Sequence, residues 1–148
     1  MPDIQHRVGM TASIEEVFDA VGTRDGVAKW WTNDVEGGSD LGDRLAFSFG
    51  FPEPWVTMEI VDLVEPTLVR WRCVEGPDEW KDTTVTFEMK TNGEETVLLF
   101  THGGWREQVE FMYHCSTKWG YFLLGLKAGF EGGKATPFPD DAPMSSWG

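Results

Sequence analysis

Cationic residues are scarce in this chain: 12 Lys and Arg stand against 25 Asp and Glu, a net charge of -13. Such a surface repels phosphate backbones and anionic headgroups, so nucleic acid and acidic membranes are not expected partners. The acids run from Asp3 to Asp141 without forming an acidic tail, and they read as a solvating surface. Cysteine is almost absent. Cys73 and Cys115 lie far apart with no Cys-x-x-Cys pair, which excludes a zinc knuckle or redox motif and leaves two small buried hydrophobes. His6, His102 and His114 show neither His-x-x-x-His nor His-Glu-x-x-His spacing, so no metal and no cofactor are expected.

Long apolar runs are missing too. The most apolar stretch, around 119–126, is far short of the ~20 residues that a spanning helix needs. Residues 1–7 hold no basic region followed by an apolar run, so no secretory leader is read and a cytoplasmic setting is expected. A Gly-x-Ser-x-Gly elbow, a phosphate-cradling glycine loop and a dinucleotide fingerprint are all lacking. No catalytic residue is assigned on this basis, and whether the chain is an enzyme stays open.

Bulky apolar side chains are abundant: 8 Trp and 10 Phe against 2 Tyr in 148 residues. That length suits one domain with a sizeable core. Ile4, His6, Val8 and Met10 alternate as in a strand. Ser13-Ile14-Glu15-Glu16 forms a capping box, and Ile14, Val17, Phe18 and Val21 make one helical stripe that Gly22 ends. Val27, Trp30 and Trp31 repeat that spacing, which predicts a second short helix after Thr23.

Over 37–102, turn residues punctuate alternating runs, the pattern of an antiparallel meander. Leu45, Phe47, Phe49 and Phe51 share one face, a loop falls at 52–54, and Val56, Met58, Ile60 and Val64 follow before Pro66. Val69, Trp71 and Cys73 share a face, as do Val85, Phe87 and Met89. Asn92-Gly93 predicts a hairpin into the strand that ends at His102. A dominant helix is predicted over 107–131, carrying Val109, Met112, Ser116, Trp119, Leu123, Leu126 and Phe130 at alternating three and four spacing. Cys115 and Phe122 widen that stripe. Gly120, Gly125 and Gly129 each cost about 1 kcal/mol there relative to Ala, which burial of the stripe must offset. One domain over 1–133 and an irregular Pro-rich tail over 134–148 are expected.

Strand, two short helices, antiparallel strands and one long C-terminal helix make an α+β layout, with a curved sheet wrapped around the last helix. Ile14-Glu15-Glu16-Val17-Phe18-Asp19-Ala20, Ala28-Lys29-Trp30-Trp31-Thr32, Trp71-Arg72-Cys73 and Phe100-Thr101-His102-Gly103-Gly104-Trp105 carry a likeness. Over roughly 4–131, the chain resembles the START-like, SRPBCC superfamily, in its subgroup of heat-shock-protein-90 ATPase activator homologues. The resemblance implies a helix-grip fold, as in birch-pollen-allergen-like and START lipid-transfer proteins, enclosing a cavity for an apolar small molecule. It also implies alternatives of other classes: a stress-response chaperone activator, or a polyketide cyclase-like or hydrolase-like enzyme. No catalytic signature of the subgroup can be matched residue by residue.

Ligand-binding candidates are Phe47, Phe49, Trp71, Phe87, Phe100, Trp119, Phe122 and Leu123, with His102 as polar anchor, because such cavities are apolar with a few polar groups. His102 follows Leu98 and Phe100 at period two. It reads either as a ligand anchor or proton carrier or as a buried histidine with its polar atoms satisfied. His114, four residues after Glu110, reads as a solvated helix position. Asp62 reads as a buried acid or an exposed strand end. Trp55, Trp80 and Trp105, near expected loops, suggest an exposed patch for a chaperone or a second copy of the chain.

Overall fold

The computed structural model describes residues 1–50 and 55–148; Phe51 and the loop expected at 52–54 lie outside the described residues. The chain runs β1 (Ile4–Met10), α1 (Ile14–Gly22), α2 (Arg24–Val27), β2 (Val35–Gly37), β3 (Arg44–Phe47), β4 (Val56–Val64), β5 (Leu68–Glu75), β6 (Thr84–Asn92), β7 (Glu95–Gly103) and α3 (Glu110–Phe130). One seven-stranded sheet has the order β1-β7-β6-β5-β4-β3-β2, and every neighbouring pair is antiparallel. This is the α+β helix-grip arrangement expected from the sequence.

Local chemistry sets the elements. Ser13 caps α1, its hydroxyl accepting from the Glu16 N–H while the Glu16 carboxylate accepts from the Ser13 N–H. In the β6–β7 hairpin, Asn92 faces Glu95 and Gly93 takes φ +64°, a conformation that favours glycine at the first turn position. Alternation then fixes the faces: Phe87 lies opposite Trp71's neighbour Val69 and opposite Phe100, and His102 lies opposite Val85 and Ile4.

Two boundaries differ from the sequence reading. The second helix stops at Val27, four residues long. Trp30 and Trp31 leave it to enter the core, where the Trp30 indole N–H donates to the Ala20 carbonyl at 2.8 Å. The long helix starts at Glu110, not 107, behind a Val109 cap without a side-chain bond. Arg106 instead anchors the preceding segment to the carbonyls of Asp78 and Lys81.

The buried face of α3 carries Met112, Cys115, Trp119, Phe122, Leu123 and Leu126. Trp31 is the hub of the aromatic core, with ring centroids at 4.4 Å from Phe47, 4.7 Å from Trp119 and 6.1 Å from Trp71. Such pairs contribute about 0.5–1.5 kcal/mol each beyond simple burial. Asp62 is a surface residue paired with Arg70 at 2.5 Å, not an enclosed acid. No helix is long and apolar enough to cross a membrane among the described residues.

After α3 the chain turns back at Gly132, φ +82°. The tail then lies along the domain: the Phe138 N–H donates to the Trp31 carbonyl at 2.9 Å and the Asn33 N–H to the Phe138 carbonyl at 3.1 Å. Tyr121 Oη bonds Thr136 and accepts from the Ala142 N–H.

Candidate functional site: an aromatic cavity beside the long helix

The inward end of β7 places His102 in a closed polar chain. The Trp119 indole N–H donates to His102 Nδ1 at 3.2 Å. Thr83 donates its hydroxyl to the Trp80 carbonyl and lies 2.9 Å from His102 Nε2. Nδ1 is therefore the acceptor, and Nε2 carries the proton that Thr83 Oγ1 receives. His102 is fully buried, and burial lowers its pKa to about 3. It stays neutral near pH 7 and has no free nitrogen to offer.

Beside this core lies a cavity of about 380 Å3. Its wall comes from three places. The face of α3 supplies Phe111, His114, Cys115, Lys118, Trp119 and Phe122. The sheet side supplies Trp31, Phe49, Trp55 and Trp80. The tail supplies Phe138, Asp141, Trp147 and Gly148. Volume and aromatic lining fall within the range of small-molecule sites, roughly 300–1,000 Å3.

Of the residues selected from the sequence, the structure brings Phe49, Trp119 and Phe122 to this cavity. Phe47, Trp71, Phe87, Phe100, His102 and Leu123 are buried in the core away from this wall, each at most 1% exposed. Period-two spacing gives the inward face of a strand, but it does not distinguish filled interior from void. Trp80 and Trp105 are corrected more sharply: they are 4% and 1% exposed, not members of a surface patch. A turn in which the Trp80 N–H returns to the Pro77 carbonyl folds Trp80 inward, against the rings of Trp119 and His102. Trp105 packs over His102 at 5.0 Å. Trp55 is half-buried and lines the cavity.

Lys118 and Asp141 were not among the site residues expected from the sequence, and His114, expected as a solvated helix position, also lines the wall. Lys118 pairs with Asp141 at 2.5 Å, donates to the Ala142 carbonyl at 3.2 Å and sits 5.1 Å from the Phe122 ring centre. Its signal was present: Cys115, Lys118, Trp119 and Phe122 share one helical stripe, which makes Lys118 a cation inside an apolar face. His114 stacks on Phe111 and meets Trp147 edge-on. Burial, and then the Lys118 charge, hold its pKa below the usual histidine value.

Burial pushes the Cys115 thiol up to about 12, with the Trp80 indole only partly offsetting it, so it is no nucleophile near neutrality. The Trp80 indole N–H makes no full hydrogen bond among the described residues, only that weak interaction with sulfur.

The sheet, the gripped helix and the cavity together define a START-like, SRPBCC domain. The chain matches the model of the Activator of Hsp90 ATPase homolog 1-like protein family over residues 11–131, and it belongs to that family. The solution structure of the Aha1 dimer from Colwellia psychrerythraea is similar at 38% identity and a TM-score of 0.83, over 91% of this chain and 100% of that one. SSP2350 from Staphylococcus saprophyticus shares the fold at 17% identity and TM-score 0.73, over 90% and 95% of the two chains. CalU16 from Micromonospora echinospora shares it at 19% and 0.74, over 95% and 77%. No curated protein matches the chain.

Proposed function

We propose that the protein is a cytoplasmic binding module that holds an apolar or amphipathic small molecule in the cavity beside α3. The observation that carries this reading is the cavity of about 380 Å3 with a wall rich in Trp and Phe. Trp31, Phe49, Trp119 and Phe122 supply the apolar contact, and Lys118 is the polar anchor in place of His102. Burying a ligand's apolar surface there contributes about 25 cal/mol per Å2. Titration with aromatic and fatty-acid ligands, followed by tryptophan fluorescence, is expected to give a saturable response. A flat or linear response across both classes contradicts the reading.

A second reading is association with a second copy of the chain or with a chaperone. Its support is the family itself and a 38% identical relative described as a dimer. Sedimentation of the chain at increasing concentration tests the first half, and stimulation of a chaperone ATPase tests the second. A monomer at all concentrations that leaves the ATPase unchanged removes this reading.

A further inference from the structure

The cavity has an uneven polar make-up. Lys118 enters it as a cation, and the Trp80 indole is a buried donor without a full partner among the described residues. The acidic group in the wall, Asp141, is already consumed by Lys118. Both side chains of that pair are largely sheltered, 16% and 14% exposed. Lys118 is fixed on α3 beside the Phe122 ring, and the tail adds the Ala142 carbonyl to the Asp141 carboxylate as acceptors of its charge. Asp141 instead belongs to the tail, which carries no helix or strand of its own and is held by the two Phe138 backbone bonds, by Thr136 on Tyr121 and by Ala142 on Tyr121 and Lys118. Trp147, 53% exposed, closes the same wall against Phe111 and His114. Of the two charges, the one on the tail is the replaceable one.

We propose that Asp141 occupies the place of a ligand's acid group, so that the cavity selects amphipathic molecules with a carboxylate or similar anionic head. Such a molecule takes Lys118, receives the Trp80 N–H where its head reaches that far, and releases the tail from the mouth. The inference rests on the reading of the cavity as a ligand site and adds the head-group class and the gate. The net charge of -13 opposes anions at long range, but surface charges are screened beyond about 8–10 Å at physiological salt. A sheltered cation at contact distance therefore decides head-group preference.

Decanoate and decanol, equal in chain length and different in head charge, test it on the full chain by calorimetric titration. Asp141→Asn leaves Lys118 without its carboxylate and is expected to raise decanoate affinity by about tenfold or more relative to decanol, as a charged hydrogen bond becomes available. Lys118→Met, which keeps the bulk of the stem, is expected to abolish any preference for decanoate. Decanoate is also expected to accelerate hydrogen exchange of the Ala142 amide, which bonds Tyr121 Oη. If decanol binds saturably and Asp141→Asn brings no relative gain for decanoate, the head-group inference fails and the cavity reading stands. If neither probe binds, both fail. Decanoate binding with an unchanged Ala142 exchange rate overturns the gate.

Discussion

Trp119 on α3 donates its indole N–H to Nδ1 of His102 on β7, 3.2 Å away, and so locks the helix to the sheet beneath it. The bond fixes the imidazole tautomer and makes Thr83 the receiver of the other ring proton. One side of Trp119 is thereby committed to structure, while its ring also forms cavity wall. Thr83→Val keeps the shape and removes the receiver, leaving the buried Nε2–H unpaired. A loss of about 1–3 kcal/mol in urea unfolding is expected, with ligand titration curves unchanged, because Thr83 is not part of the wall.

The same histidine gives the fold an acid sensitivity. Its native pKa of about 3 lies below the ordinary 6.5, so between these values the unfolded chain holds a proton that the native chain does not. Stability is therefore unaffected above about pH 6.5 and falls as pH drops toward 3, by at most about 1.4 kcal/mol per pH unit from this group. His102→Gln is expected to flatten that part of the profile. Equal slopes for the two proteins between pH 6.5 and 4 would contradict it.

Gly129 lies within α3, and an added Cβ would meet only the Ala135 side chain at 3.9 Å, an ordinary contact. Gly129→Ala is therefore expected to stabilise the chain by about 0.5–1 kcal/mol in thermal or urea unfolding. A loss of stability would show that the helix there requires glycine for a reason beyond space.

Burial holds the thiols of Cys73 and Cys115 at pKa values of about 11 and about 12. At pH 8 fewer than about one in a thousand of either is thiolate, so a thiol reagent is expected to label neither in the native chain within minutes. Both react once the chain is unfolded. Rapid labelling of native Cys115 would mean that the cavity wall opens far more freely than its packing implies.

The elements were legible where a local rule carries them. The Ser13 capping box, the Gly93 turn and the inward faces of β4 to β7 follow from spacing and cap chemistry, and so does the α3 stripe; Val64, expected on one face with Val56, Met58 and Ile60, is instead exposed, beyond the irregularity between Ile60 and Asp62. The site was less legible, because a cavity is where side chains stop. Periodicity puts Phe47, Trp71 and Phe100 on the inward face as readily as Phe49 and Phe122, and it does not say which of them reach the cavity wall. Trp80 is buried by a turn at Pro77 that folds its loop inward, and no spacing encodes that. The tail carries no periodic pattern at all, yet Phe138, Asp141 and Trp147 complete the wall. His114, four residues after Glu110, has the spacing of a solvated pair, and the tail's Trp147 is what encloses it in the wall.

The most direct measurement is the indole N–H spectrum of the eight tryptophans during titration with decanol. Trp31, Trp55, Trp80, Trp119 and Trp147 line the cavity, whereas Trp30, Trp71 and Trp105 do not. Saturable shifts concentrated in the first five, with the other three nearly in place, are predicted. Shifts spread evenly over all eight, or none at saturating decanol, would contradict a ligand site beside the long helix.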